Sequence, residues 1–125
     1  MDRNIATGLK PLVWMGSSKR DLREFPEDVK DVIGLALMVA QYGGKHEAAK
    51  VLQGFGGASV LEVVDDHDGD TYRAVYTVRF KGLVYVLHAF QKKSKTGRKT
   101  PKPDMDKVRS RLEAAEEDYK TRLQK

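Results

Sequence analysis

TYRAVYTVRF-KG-LVYVLHAF-QKKSKTGRKTPK, running from Thr71 to Lys102, is the stretch that decides the fold. From Thr71 to Phe80 the residues alternate. Tyr72, Ala74, Tyr76, Val78 and Phe80 share one side; Thr71, Arg73, Val75, Thr77 and Arg79 share the other. A period of two with one strongly apolar side predicts a β-strand. Lys81-Gly82 reads as a two-residue turn in which glycine supplies a positive φ. Leu83–Phe90 is apolar at nearly every position. Such a strand is usually central and covered on both faces.

This hairpin implies a register. If Phe80 faces Leu83, then Tyr76 faces Leu87, Val75 faces His88 and Arg73 faces Phe90. Directly opposed residues share a face. Arg73, Thr77, His88 and Phe90 then project to one side, with Arg73 accessible. Tyr72, Ala74, Tyr76, Leu87 and Ala89 project to the other, where helices cover them. A cation, an imidazole and an aromatic ring would converge beside a basic loop, a place to hold and cut RNA. A slip of one residue reverses every assignment, and strand-end cations are often solvated edge residues. His88 is either a hydrogen-bonded core histidine, the reading its apolar strand favours, or a site residue.

Charge points to the same region. The chain has 125 residues and a formal charge of +5. Between Gln91 and Lys102 stand Lys92, Lys93, Lys95, Arg98, Lys99 and Lys102, with no acidic residue among them. Uncompensated cations favour an anionic partner such as nucleic acid. Asp65, Asp66, Asp68 and Asp70 crowd one turn, and Glu113, Glu116, Glu117 and Asp118 crowd the last helix. The molecule is expected to be polar in its field. Its length suits a single domain over residues 1–125. No apolar run is long enough for a membrane span, and MDRNIATGLK lacks a signal core. Cysteine is absent, which excludes disulfides and thiolate metal sites and fits a cytoplasmic protein.

Working outward, Pro11–Met15 predicts a short first strand. Ser17-Ser18 offers N-caps for a short helix through Arg20–Phe25. Pro26 can open a second helix, with Glu27 and Asp28 in its first turn. Val29, Val32, Ile33, Ala36, Leu37 and Ala40 recur at spacings of three and four, an amphipathic helix ended by Gly43-Gly44. His46–Gln53 predicts one or two further helical turns. Gly54, Gly56 and Gly57 form a linker into a strand at Ser59–Val64. Asp65–Asp70 predicts an acidic turn. Thr100-Pro101-Lys102-Pro103-Asp104 starts the last helix, whose stripe is Met105, Val108, Leu112, Ala115, Tyr119 and Leu123. Helices, then an antiparallel meander, then a helix predict an α+β domain.

Several local patterns lack the context their chemistry needs. Asp66-His67-Asp68-Gly69-Asp70 begins like a calcium loop, but its glycine is misplaced and Thr77 stands where a bidentate glutamate belongs. Gly54-Phe55-Gly56-Gly57 precedes a strand and lacks the Gly-Lys-Ser/Thr of a phosphate loop. His46, His67 and His88 do not have metal-ligand spacing. No serine has a nucleophile context.

The segment from Tyr72 to Lys102, followed by a long charged helix, resembles the RelE/HigB/ParE superfamily of toxin–antitoxin toxins, in its HigB-like, phage-derived addiction-module killer branch. The matching pieces are Tyr72-Arg73-Ala74-Val75-Tyr76, His88-Ala89-Phe90-Gln91-Lys92-Lys93, Lys99-Thr100-Pro101 and, upstream, Asp21-Leu22-Arg23-Glu24-Phe25-Pro26. The similarity runs from about Lys10 to Leu123. It implies the RelE-like fold, a small antiparallel-rich sheet between N-terminal helices and a long C-terminal helix. It implies cleavage of mRNA, usually on the translating ribosome, and neutralisation by a cognate helix-turn-helix antitoxin. Arg73 matches the family's phosphate-contacting strand arginine, and Lys92-Lys93 its cationic pair.

The combined expectation is a metal-independent, cofactor-free endoribonuclease toxin. Arg73 and Lys93 stabilise the phosphoryl group and His88 acts as base or acid. Phe90 stacks a base, and Lys92, Lys95, Arg98 and Lys99 bind the RNA backbone. A ParE-like gyrase inhibitor and a basic nucleic-acid-binding module without activity are the alternatives, because one fold hosts several functions.

Overall fold

The structure is a computed structural model and describes residues 8–92 and 99–124. Its elements are β1 (Leu12–Trp14), α1 (Ser18–Arg23), α2 (Glu27–Gln41), β2 (Ala49–Val51), β3 (Val60–His67), β4 (Asp70–Thr77), β5 (Val84–Lys92) and α3 (Lys102–Leu123). The strands form one five-stranded sheet in the order β1-β5-β4-β3-β2. β1 runs parallel to β5 and every other neighbour is antiparallel. The α+β architecture expected from the meander and its flanking helices is the one found.

Helices cover both faces. On one, Leu22 of α1 and Val29, Ile33, Ala36, Leu37 and Ala40 of α2 bury against Leu61, Val63, Tyr72, Ala74, Tyr76, Val84 and Val86. On the other, Val108, Leu112 and Ala115 of α3 bury against Val75, Tyr85 and Leu87. Burying a large aliphatic side chain contributes ~1.5–3 kcal/mol, so these two layers dominate stability. α2 follows its apolar spacing. Pro26 holds the N-cap in an extended conformation, and Glu27 and Asp28 occupy the positive first turn. Gly43, at φ 91°, closes it. The Gly43 amide donates to Ala40 O and the Gly44 amide to Val39 O, both at 2.9 Å, the bond pattern of a Schellman motif.

Five local expectations are corrected. His46–Gln53 is not helical, because Ala49–Val51 forms a short strand that completes the sheet edge beside β3, with Ala49 buried opposite Val63. Packing overrides the helix propensity of Glu47-Ala48-Ala49-Lys50. The acidic turn shrinks to Asp68-Gly69, with φ 49° and 87°, a two-residue hairpin tip below the His67–Asp70 pair. β4 ends at Thr77, not Phe80. There the Thr77 hydroxyl donates to Ser59 O at 2.7 Å and accepts the Arg79 amide at 3.1 Å. Lys81-Gly82 is still the centre of a turn, closed by the Leu83 amide donating to Phe80 O at 3.2 Å, but within a longer connection. Phe80 crosses to the α3 face and packs on Tyr85 and Tyr119.

The register correction matters most for the site. Arg73 pairs with Phe90 and Val75 with His88, as read from the hairpin, but Tyr76 pairs with Val86. Leu87 is the additional residue of a β-bulge, so it and His88 both turn toward α3. The expected pairing of Tyr76 with Leu87 is wrong for that reason. The α3 stripe also ends early. Val108, Leu112 and Ala115 are buried, whereas Leu123 is 67 % exposed.

Candidate functional site

The α3-facing side of β3 and β4 carries an open groove of ≈ 1150 Å³. Strand alternation puts Glu62, Val64 and Asp66 of β3 in one row along it. The pairs Val64–Arg73 and Asp66–Thr71 bring β4 residues alongside. Lys50 of β2, Asp68 and Asp70 at the hairpin tip, and Lys99 and Thr100 before α3 add to its polar lining.

Arg73 sits in the groove floor. Its Nη1 donates to Glu62 Oε1 at 3.2 Å and to Thr100 Oγ1 at 3.5 Å. The Thr100 hydroxyl donates to the other carboxylate oxygen of Glu62 at 2.9 Å. Arg73 is 4 % exposed and Glu62 8 %. The accessible Arg73 expected from strand alternation is therefore corrected: the guanidinium is sunk into the sheet, and a buried charge of this kind requires a hydrogen-bonded partner. Glu62 is that partner. It is the only charged residue in the apolar run Val60–Val64, a signal that a buried counter-ion lies across the sheet.

His88 shares the α3-facing side with Arg73, as expected, but does not line the groove. It is 3 % exposed. Its Nε2 lies 2.7 Å from Asp104 Oδ1, and Arg111 Nη1 lies 3.3 Å from its Nδ1. A guanidinium can only donate. Nδ1 thus accepts and Nε2 carries the proton given to Asp104. Burial pulls the imidazole below its ordinary value, outweighing the upward pull of Asp104; Arg111 and Lys107 lower it further. Arg111 also donates to Leu87 O at 3.0 Å and to Ser17 Oγ at 3.1 Å, and Ser17 donates to Asp21 at 2.7 Å. This chain of bonds ties α1, β5 and α3 together. Asp104, Val108, Arg111 and Ala115 recur at spacings of four and three, so the two polar residues edge the apolar stripe. That pattern is the trace of the network in the sequence.

The remaining residues are distributed unevenly. The Phe90 ring stacks on His88, with centroids 4.7 Å apart and planes 19° apart. It is half-buried and lies outside the groove lining. Lys92 donates from Nζ to Lys99 O at 3.1 Å, bracing the two ends of the basic loop. Lys99 is exposed at the groove. Lys93, Lys95 and Arg98 lie outside the described residues. At the far end of β3, Asp66 accepts from Thr71 at 2.9 Å and Asp70 from Gln91 at 2.8 Å. Among the described residues no group of three or more His, Asp or Glu could hold a metal ion, and no helix is long and apolar enough to cross a membrane.

The fold has solved counterparts. The isolated Escherichia coli RelE toxin is 18 % identical, with a TM-score of 0.50 over 82 % of this chain and 98 % of that one. An arginine-substituted RelE mutant in the free state is 18 % identical, with a TM-score of 0.48 over 65 % and 81 %. The RelBE2 toxin–antitoxin complex of Mycobacterium tuberculosis is 15 % identical, with a TM-score of 0.44 over 69 % and 94 %. No curated protein matches the chain in sequence. Residues 20–113 match the family described as phage derived protein Gp49-like. That span runs from α1 through the groove strands into α3, so with its five-stranded sheet and long C-terminal helix the chain belongs to the phage-derived Gp49-like family and has the RelE-like fold.

Proposed function

We propose that the protein is the toxin of a type II toxin–antitoxin pair and cleaves mRNA on the ribosome without a metal ion. The Arg73–Glu62–Thr100 cluster, set in the floor of an open groove with lysines at its rim, carries this reading. RNA brings its own nucleophile, the 2′-hydroxyl. Glu62, oriented by two donors, takes that proton. Arg73 faces the charge that builds on the phosphoryl oxygens, and Lys93 adds to it. Lys99 gives a proton to the departing 5′-oxygen. Phe90 stacks a base beyond the groove, and Lys92, Lys95 and Arg98 add backbone contacts to the strand. His88 acts through α3: by fixing Asp104 in the first helical turn it holds Thr100 over Glu62.

Expected products are a 2′,3′-cyclic phosphate or 3′-phosphate and a 5′-hydroxyl, formed equally in the presence of a chelator. End-group analysis of RNA from expressing cells checks this, and 3′-hydroxyl products would overturn it. Intact RNA with gyrase-dependent DNA breaks would instead identify a ParE-like toxin. Glu62→Gln keeps the size of the side chain and should slow cleavage by ~10²–10⁴-fold, the usual contribution of an acid–base group.

An active ribonuclease needs neutralising, so the same reading includes a cognate helix-turn-helix antitoxin. Its acidic segment would meet the cations from Lys92 to Lys102, which steer encounter. The association rate should fall as salt rises. Charge reversal at Lys95, Arg98 and Lys99 should slow association more than it speeds dissociation. Surface-binding kinetics at two ionic strengths check this, and a rate indifferent to both changes would refute the electrostatic part.

A further inference from the structure

A second cationic feature lies outside the Arg73 cluster, at the end of β3 opposite the acidic hairpin tip. The loop after β2 contains Gly54, Gly56 and Gly57, all with positive φ. Two exposed arginines close on it. Arg79 donates from Nη2 to Phe55 O at 2.7 Å and from Nε to Ser59 Oγ at 3.0 Å. Arg109 of α3 donates from Nη1 to Gly54 O at 3.4 Å, and its Cζ stands 4.9 Å from the centre of the Phe55 ring. Neither arginine faces a carboxylate at ion-pair distance among the described residues. Each has five N–H donors; Arg79 commits two to these contacts and Arg109 one. Two guanidinium groups are thus pinned by neutral partners, with their positive charge uncompensated and donors left over.

The position of this clamp relates it to the groove. Gln53 and Met105 line the groove. Gly54 follows Gln53, and Arg109 is one helical turn beyond Met105. The Met105 methyl lies 3.4 Å from where a Gly54 side chain would begin, so loop and helix meet at the groove's end. Val60, at the clamp end of β3, is about 7 Å along the strand from Glu62. Open space lies beside Gly56 and Gly57, which lets a bulky strand approach the loop.

Resting on the nuclease reading, we infer that Arg79 and Arg109, held on the Gly54–Gly57 loop, are a second ribose-phosphate binding site that grips the RNA strand where it leaves the cleavage groove. Fixed guanidinium groups suit phosphate because their donors match its oxygens without further ordering. The clamp contributes affinity and placement, and takes no part in the chemical step.

The test measures binding of an uncleavable 2′-O-methyl RNA oligomer by fluorescence anisotropy over a salt series. Arg79→Gln/Arg109→Gln should weaken binding at least tenfold. It should also flatten the slope of log K against log salt by about 1.4, for two lost single-strand phosphate contacts. The control, Arg20→Gln/Arg23→Gln, removes the same charge from α1 on the opposite face and should change little. The single Arg109→Glu, on an exposed helix surface, guards against loop unfolding and should also weaken binding. Equal effects from the clamp and control variants, or none from the clamp, overturn the inference. Unchanged RNA affinity with weakened binding of a polyglutamate peptide would assign the arginines to an acidic protein and overturn it too. Clamp-dependent binding by a protein that leaves RNA intact would uphold the site and remove the nuclease reading instead.

Discussion

Arg73→Ala should abolish growth arrest and destabilise the fold by about 3–5 kcal/mol, because it leaves the Glu62 carboxylate buried without its counter-ion. Loss of toxicity in that variant is therefore ambiguous. The informative comparison is Arg73→Met/Glu62→Met, which fills the same space with apolar atoms. Replacing a buried ion pair by well-packed apolar residues is often neutral or stabilising. The double variant should recover most of the lost stability in urea denaturation and still leave RNA intact. A double variant that is stable and toxic would show that the cluster only holds the sheet together. One that remains as unstable as Arg73→Ala would show that the pair is indispensable to the fold.

His88→Ala should cost about 3 kcal/mol, from a vacated core position and two lost polar contacts. Titration adds a second signature. The folded imidazole binds its proton less readily than an ordinary histidine, whose value is 6.5. Above that pH both folded and unfolded chains hold it neutral, and its contribution to stability is complete. As the pH falls below 6.5 the unfolded chain gains a proton that the folded chain resists, so stability declines. The decline levels off once the folded group is protonated too. Asp104, Arg111 and Lys107 are the charged groups that act on the ring. His88→Gln retains a donor for Asp104 and an acceptor for Arg111 but cannot titrate. Unfolding free energies of the two proteins should converge between pH 8 and pH 5.5. Parallel curves would show that His88 is not the group responsible. Because His88 holds the start of α3, cleavage by His88→Gln should drop far less than by Glu62→Gln at equal folded fraction. The opposite order would return His88 to direct chemistry.

Local pattern made much of this molecule legible in the chain itself. Alternation from Tyr72 to Tyr76, the apolar run through Val84–Phe90 and the three-four spacing from Val29 to Ala40 each encode one element and the face it buries. Those periods arise within a single segment, so the α+β order, the β4–β5 pairing at Arg73–Phe90 and the common side of Arg73 and His88 could be read directly. The resemblance carried by Tyr72–Tyr76 and His88–Lys93 likewise pointed to the RelE-like fold. What only the tertiary structure decided depends on residues far apart in sequence. The Leu87 bulge shifts the register because Tyr85, Leu87 and His88 all have to meet α3. β2 forms because Ala49 finds Val63, against the helix propensity around it. Glu62 meets Arg73 only once β3 lies beside β4, and Asp104 and Arg111 meet His88 only once α3 crosses the sheet. A buried charge discloses in sequence that it needs a partner, but the partner is chosen by strand register and helix docking. For that reason the groove and its Arg73–Glu62 floor belong to the fold, while the strands that build it belong to the sequence.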